Sequence, residues 1–479
     1  SLWEVGSFLR VGGFGDGTLT IADGGEVTSV SSSSIGLETG STGSATVTGD
    51  GSRWAIGDTF HVGLNGNGTL TIADGGEVVS ADNTFIGLGS GTSSTATVTG
   101  QDSSWKNREK FFVGFNGDGA LMIADGGEVI SDWDSIVGVG NDSISTATVT
   151  GVGSRWESGG LLHVGNFGVG ELTITNGGRV VSVSSSSIAI ESGSTGTATV
   201  TGSGSRWESG DFFHVGLSGN GTLSIAGGGE VVSSENTFIG GTSGSTGTAT
   251  VTGQNSRWES GSKFFVGFDG DGTLTIADGG EVISLADSSI GFGTDSTGTA
   301  TVTGSGSRWE SGDDFSVGGR GDATLIIEQG GQVESNGGFV AALAGSSGVV
   351  TITDPNSIWT NTGDLEVGGN NGEAGGSATV EVGSGGKLDV LQTLRLYEGS
   401  NLTINDGGTL KIRNLDATVG NVNWNGGTVE LGGTYTGSLA IPESGTLTGD
   451  GGTVTVNLNN AGQLSPGNSP GMTTVEGDY

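Results

Sequence analysis

Apolar and polar residues alternate along this chain in short runs with a period of two, and the runs recur at fixed intervals. In TLTI (69–72) Leu70 and Ile72 fall on one face and Thr69 and Thr71 on the other. In TATVT (95–99) Ala96 and Val98 repeat the arrangement. Such alternation predicts β-strands with one buried and one exposed face. No segment carries the 3.6-residue period of an amphipathic helix. Proline is missing before Pro355, as expected where every backbone N–H is needed for a ladder.

The spacing of the largest side chains shows how the strands are organised. Trp3, Trp54, Trp105, Trp156, Trp207, Trp258 and Trp309 are each 51 residues apart, and Trp359 follows after 50. Val11, Val62, Val113, Val164, Val215, Val266 and Val317, each before a glycine, keep the same step. Every unit divides into two similar halves, such as HVGLNGNGTLTIADGGEVVS (61–80) and FIGLGSGTSSTATVTGQDSSW (85–105). A half-unit of about 25 residues, with three strands and Gly, Asn or Asp turns, predicts one coil of a parallel β-solenoid. The expected fold is all-β: a parallel β-helix of about 19 coils, two per repeat. It is right-handed by the default for parallel crossovers. At about 4.8 Å per coil it makes a rod on the order of 90 Å long.

Residues 1–361 hold the regular repeats, and residues 362–479 continue with shorter, irregular coils. In that last part Leu388, Leu410, Val429 and Leu447 are separated by 22, 19 and 18 residues, and Pro442, Pro466 and Pro470 appear. Asp16, Asn67, Asp118, Asn220 and Asp271 each sit between two glycines. They are expected at left-handed corners, which Asn, Asp and Gly tolerate.

Successive half-units also alternate in side-chain volume. One contributes Leu70, Ile72 and Val78, the next Ala96, Val98 and Trp105. A small Ala replaces Leu where a bulky Trp replaces Val, so the indoles are expected inside, as fillers at native packing density. An exposed Trp ladder for sugar rings is the competing possibility, and SRWE, with Arg and Glu flanking the indole, speaks against it.

Composition narrows the function. Of 479 residues 101 are Gly but only 4 Pro, which excludes collagen. Lys and Arg number 16 against 52 Asp and Glu, a formal charge of −36. A surface this acidic repels phosphate backbones and anionic lipid, which excludes nucleic acid as a partner. Cysteine is absent and no run of 18 apolar residues exists, so neither a disulfide framework nor direct helical insertion of this segment into a membrane is expected. The opening SLWEVGSFLRVGG matches the middle of a repeat rather than a signal peptide, so upstream sequence is expected to have been cleaved or left out.

Candidate chemistry fails on spacing. His61, His163 and His214 share one repeat column with Arg10, Phe112, Phe265 and Ser316, and are expected in solvated turns. His163 and His214 lie two coils apart, roughly 9.6 Å, too far to share a zinc ion. Asp23, Asp74, Asp125 and Asp278, with Glu26, Glu77, Glu128 and Glu281, recur at the same two-coil step, too far apart for a calcium ladder. Segments such as GFDGDGTL (267–274) resemble calcium-binding glycine-rich repeats without their nine-residue period.

Arg53, Arg155, Arg206, Arg257 and Arg308 occupy equivalent positions, unlike the single clustered site a polysaccharide lyase or hydrolase needs. Glycine runs such as GFGDG (13–17) open no helix and so form no phosphate cradle. Columns that include Thr20, Thr46, Thr71, Thr97, Thr199 and Thr250 resemble the ice-contacting faces of solenoid antifreeze proteins, but Thr also suits any exposed strand. No catalytic, cofactor-binding or metal-binding residue is assigned, and the chain is not expected to be an enzyme.

GTLTIADGGEV (68–78), STGTATVTGSGSRW (194–207) and above all AGQLSPGNSPGMTTVEGDY (461–479) resemble the passenger regions of bacterial autotransporters and related repeat-rich surface proteins, including ones with a PEP-CTERM sorting signal. This resemblance implies a right-handed β-helix, export across the outer membrane, and a role in adhesion, autoaggregation or matrix formation. The chain shows neither the C-terminal barrel nor the sorting tail of the full pattern. The expected function is that of an extracellular, cell-surface adhesin or structural rod. The alternatives are a self-assembling filament or biofilm-matrix protein and a polysaccharide-active β-helix enzyme. Its expected partners are further copies of itself, end to end or side by side, and host or matrix glycans and proteins.

Overall fold

A computed structural model of the chain describes residues 1–383, 385–436, 439–448, 453–454, 458–465 and 474–475. The SPGNSPG element beyond Ser465, with Pro466 and Pro470, lies outside the described residues. Among the described residues every regular element is a β-strand.

Each coil of the regular region holds a three-residue, a seven-residue and a four-residue strand. One coil runs Phe60–Val62, Asn67–Ala73 and Glu77–Ser80, and the next Thr84–Ile86, Ser93–Thr99 and Ser104–Asn107. Each strand pairs in parallel with its equivalent one coil away: Val62 with Ile86, Leu70 with Ala96, Val78 with Trp105. In-register stacking keeps like positions in columns, so the two-residue alternation sets an inner and an outer face along every strand. Leu70, Ile72, Val78 and Ile86 are fully buried while Thr69 faces outward.

The chain forms two compact units, Ser1–Glu235 with Gly244–Thr248 and Asn236–Ser243 with Ala249–Tyr479. In the first, the seven-residue strands run from Asp16–Ala22 to Asn220–Ala226; in the second, the equivalent strands run from Asp271–Ala277 to Asn421–Trp424. Together they make about 17 coils rather than 19. Uniform division of the length overcounts, because the residues after Trp424 form only short described strands and the hairpin Gly369–Asn370/Glu373–Ala374 lies outside the stack. The shorter coils of the last part are present: Leu388, Leu410, Val429, Leu447 and Leu464 pair in sequence.

Seven of the eight indoles of the repeat column are inside, while Trp133, outside that column, is exposed. Trp54, Trp105, Trp156, Trp207, Trp258, Trp309 and Trp359 are all 0% exposed, which removes the exposed Trp ladder. Trp3, in the first coil, is exposed. Trp105 sits between Val78 and Val129, and Ala96 between Leu70 and Leu121. Bulk is thereby exchanged between faces of neighbouring coils, as close packing requires. Trp54, Trp105, Trp207, Trp258 and Trp309 also meet a ring from the three-residue strand that follows them in the chain, Trp54 on Phe60 at 5.0 Å and Trp207 on Phe213 at 4.8 Å, both edge to face, whereas Leu162 and Leu365 take that place after Trp156 and Trp359. In alternate coils that ring gives way to Ser or Thr, and the corner becomes polar: Ser29 bonds Ser33 at 2.7 Å, and Ser80 and Thr84 both donate to Asn107 Oδ1 at 2.7 and 2.8 Å.

One turn assignment is corrected. Asp16, Asn67 and Asp118 begin the seven-residue strands and bridge rungs through their side chains: Asn67 Oδ1 accepts from Ser93 N–H at 2.9 Å and Asp118 Oδ1 from Ile144 N–H at 2.8 Å. The left-handed corners are instead Asp23, Asp74, Asp125 and Asp278, with φ between 50° and 53°. Flanking glycine misled the assignment. Gly68 is extended, and it must lack a side chain because a Cβ there would overlap the backbone N of Gly63.

Candidate functional surfaces

The outer face of the solenoid carries three kinds of column, one for each strand of the coil. On the seven-residue strands threonines stand rung over rung, Thr69 beside Thr95 and Thr71 beside Thr97, as the alternation predicts.

On the four-residue strands the column is ionic. Arg53 sits between Glu26 and Glu77 in register, with Nη1 3.1 Å from Glu26 and Nε 2.9 Å from Glu77. Partial burial opposes ionisation of Glu77, but hydrogen bonds from Lys106 and Arg53 outweigh it and hold the carboxyl below its ordinary range. At Arg155, Arg179 and Arg206 three arginines occupy consecutive rungs. Glu128, Glu157, Glu208 and Glu230 pair with them, so the run is neutralised. These arginines form a ladder.

On the three-residue strands the middle residue points outward, and here the expectation of solvated histidines fails. His61 occupies a strand and stacks on Phe85 at 5.6 Å and 9°, and Phe85 stacks on Phe112 at 4.9 Å and 12°. Rings on adjacent rungs cover one another, so an outward side chain is nonetheless half-buried. Burial pushes all three histidines down, His214 to about 4, against a weaker backbone hydrogen bond and nearby carboxylate at His61 and His214 and the Asp134 charge at His163. Ser187 stands between His163 and His214, confirming the two-rung separation.

Two polar groupings were missed in the sequence. In the three-residue-strand column Glu366 is buried, accepting from Tyr397 Oη at 2.9 Å and pairing with Arg395 at 3.0 Å. Asp287, Asp313 and Asp314 bring carboxylate oxygens within 4.8 Å of one another. Lys263 offsets one charge at 2.7 Å from Asp287. Partial burial, then repulsion from Asp313 and Asp287, raises the Asp314 carboxyl. The available signal was SGDDF (311–315), where an earlier repeat reads SGDFF (209–213).

No family model matches the chain. It is 30% identical over 314 residues to the uncharacterized lipoprotein YdeK of Escherichia coli (strain K12), a match covering 61% of this chain and 23% of that protein. It is also 30% identical over 135 residues to the adhesin BmaC autotransporter of Brucella suis biovar 1 (strain 1330), covering 27% of this chain and 4% of the adhesin. The chain thus spans less than a quarter of either relative. Among solved structures, the TibC-catalyzed hyper-glycosylated TibA55-350 fragment aligns with 89% of this chain and 97% of its own, at 15% identity and a TM-score of 0.30. The chain is therefore similar in sequence to an autotransporter adhesin, and its parallel β-solenoid is the architecture that the resemblance to passenger regions implies.

Proposed function

We propose that this chain is a non-catalytic β-helical segment of a bacterial cell-surface or extracellular protein, acting as an adhesin or structural scaffold in cell adhesion and aggregation. The observation that supports this most is the repetition of the outer columns in strict register. Threonine, Glu–Arg and aromatic positions recur rung by rung, giving an extended surface on which individually weak contacts add by multivalency. The similarity to an autotransporter adhesin supports the same function. Partners of this class are a second copy on a neighbouring cell and host or matrix glycans and proteins.

The test is display of the chain on a non-aggregating bacterial host. Faster settling, or greater retention on matrix-coated or epithelial surfaces than the empty host shows, is expected. Equal settling and retention, with display verified by antibody, would overturn the proposal.

A further inference from the structure

In the second unit the outward aromatic column is interrupted. Phe265, Ser289, Ser316 and Phe339 stand on consecutive rungs. Phe265 is stacked on Phe238 at 5.3 Å and 7°, and the rung beyond it holds only a hydroxymethyl group. The neighbouring corner also loses a ring: Phe268 and Phe292 stack at 5.2 Å and 6°, Gly319 follows, and the Arg320 guanidinium lies 5.9 Å from the Phe292 ring centre. Two serines and a glycine thus remove bulk from adjacent rungs and leave a notch of about 230 Å³ walled by Phe265, Phe292 and Phe339.

The polar groups of the notch are unusual for this molecule. Ser289 is 5% exposed, and its Oγ has no hydrogen-bond partner among the described residues; Asn370 Oδ1, which lines the same notch, has none either. Serines elsewhere in the column are covered by the next ring, Ser34 Oγ lying 3.5 Å from His61 Nδ1 and Ser187 Oγ 3.4 Å from His214 Nδ1. Ser289 is followed by another serine. Buried polar atoms without partners carry a desolvation cost that a ligand can relieve. Asp287 and Asp314 also line the notch, from the residues just before these strands.

We infer that the notch binds one pyranose ring, the terminal residue of a glycan. Aromatic walls with a few convergent polar groups suit a ring that has an apolar C–H face and a hydroxyl rim. Carboxylates accept hydroxyl protons in strong charge-assisted bonds. Lys263 pairs with Asp287 at 2.7 Å, and Asp314 and Arg320 both line the notch, so charges of both signs face the ligand and the site matches a neutral one better than a strongly charged one. Its volume falls below the roughly 300 Å³ of the smaller drug-sized pockets, enough for one ring rather than a chain. The inference rests on the adhesin proposal only for where the glycan comes from.

The test is binding of the purified chain to a printed glycan array, then titration with free methyl glycosides of the hits. Ser289→Phe restores the ring found at Phe85 and Phe265 and is expected to keep the thermal midpoint while weakening binding at least about tenfold. Asp314→Asn, which leaves the notch open, is expected to weaken it as well. Absence of array binding by the parent chain, or equal binding by Ser289→Phe, overturns the inference. So does parent self-association that Ser289→Phe abolishes without any glycoside binding, which would place a ring of a second copy in the notch. Displayed cells that adhere although the purified chain captures no glycan overturn the sugar site alone; glycan capture without adhesion overturns the adhesin proposal alone.

Discussion

Val78 and Trp105 stand opposite one another on adjacent rungs, in register and both without solvent exposure. The same pairing places Trp207 between Val180 and Val231. A side chain enclosed above and below by partners that cannot move toward it leaves a cavity when truncated. Trp207→Ala is expected to cost about 3–5 kcal/mol, read from denaturant unfolding. Trp207→Phe is expected to cost less than Trp359→Phe. The Trp207 Nε1–H has no acceptor among the described residues, whereas Trp359 Nε1–H donates to Ser335 Oγ at 3.3 Å.

Asn107 receives hydroxyl hydrogens from Ser80 and Thr84 and donates to the Glu109 carbonyl at 2.6 Å, all at a buried corner. Asn107→Ala leaves Ser80 and Thr84 only each other, at 2.8 Å, strips the Glu109 carbonyl of this donor, and is expected to cost about 1–3 kcal/mol. Asn107→Ser, the residue at the equivalent Ser158, is expected to cost less than half as much. Thermal melts of the two variants against the parent check the difference.

His214 is held neutral by burial, with a pKa near 4 against 6.5 for the free side chain. In the folded chain it binds fewer protons than in the unfolded chain across that interval. Stability is therefore full above about pH 6.5 and falls as pH drops from there toward 4. Glu77, held below its ordinary range, adds loss of the same sign at lower pH, while the raised Asp314 carboxyl acts in the opposite sense. Thermal midpoints measured from pH 7.5 to 4.5 are expected to decline less steeply in His214→Phe. An unchanged slope would remove His214 from the account.

Gly68 lies where a Cβ would meet the Gly63 backbone, which has no flexible side chain to yield. Gly68→Ala is expected to destabilise by more than about 1 kcal/mol even though the backbone there is extended, since the coil must widen. Asp74→Gly is expected to be tolerated, because φ of 50° is a conformation glycine adopts freely, as Gly227 does with φ of 57°. Amide exchange at Gly63 and Gly68 reads the local opening.

The coil was legible because its cause is local and repeated. Alternation in TLTI and TATVT sets inner and outer faces, and a 51-residue step repeated along the chain leaves stacked strands as the arrangement in which every unit meets an identical neighbour. The burial of the indoles followed from the exchange of Leu70 for Ala96 as Val78 gives way to Trp105. What escaped was whatever depended on the neighbouring rung. The covering of His61 by Phe85 and the bridging of Asn67 to Ser93 are contacts between residues 24 and 26 positions apart, and the Phe60 ring meets Trp54 only because the chain turns a corner between their strands. The sequence by itself determined a parallel β-solenoid with Trp inside and Thr outside, since side-chain period and repeat length are written along the chain. Only the tertiary structure decided that Ser289 and Ser316 open a notch and that Asp287 and Asp314 line it, because a gap is a property of what adjacent rungs fail to fill.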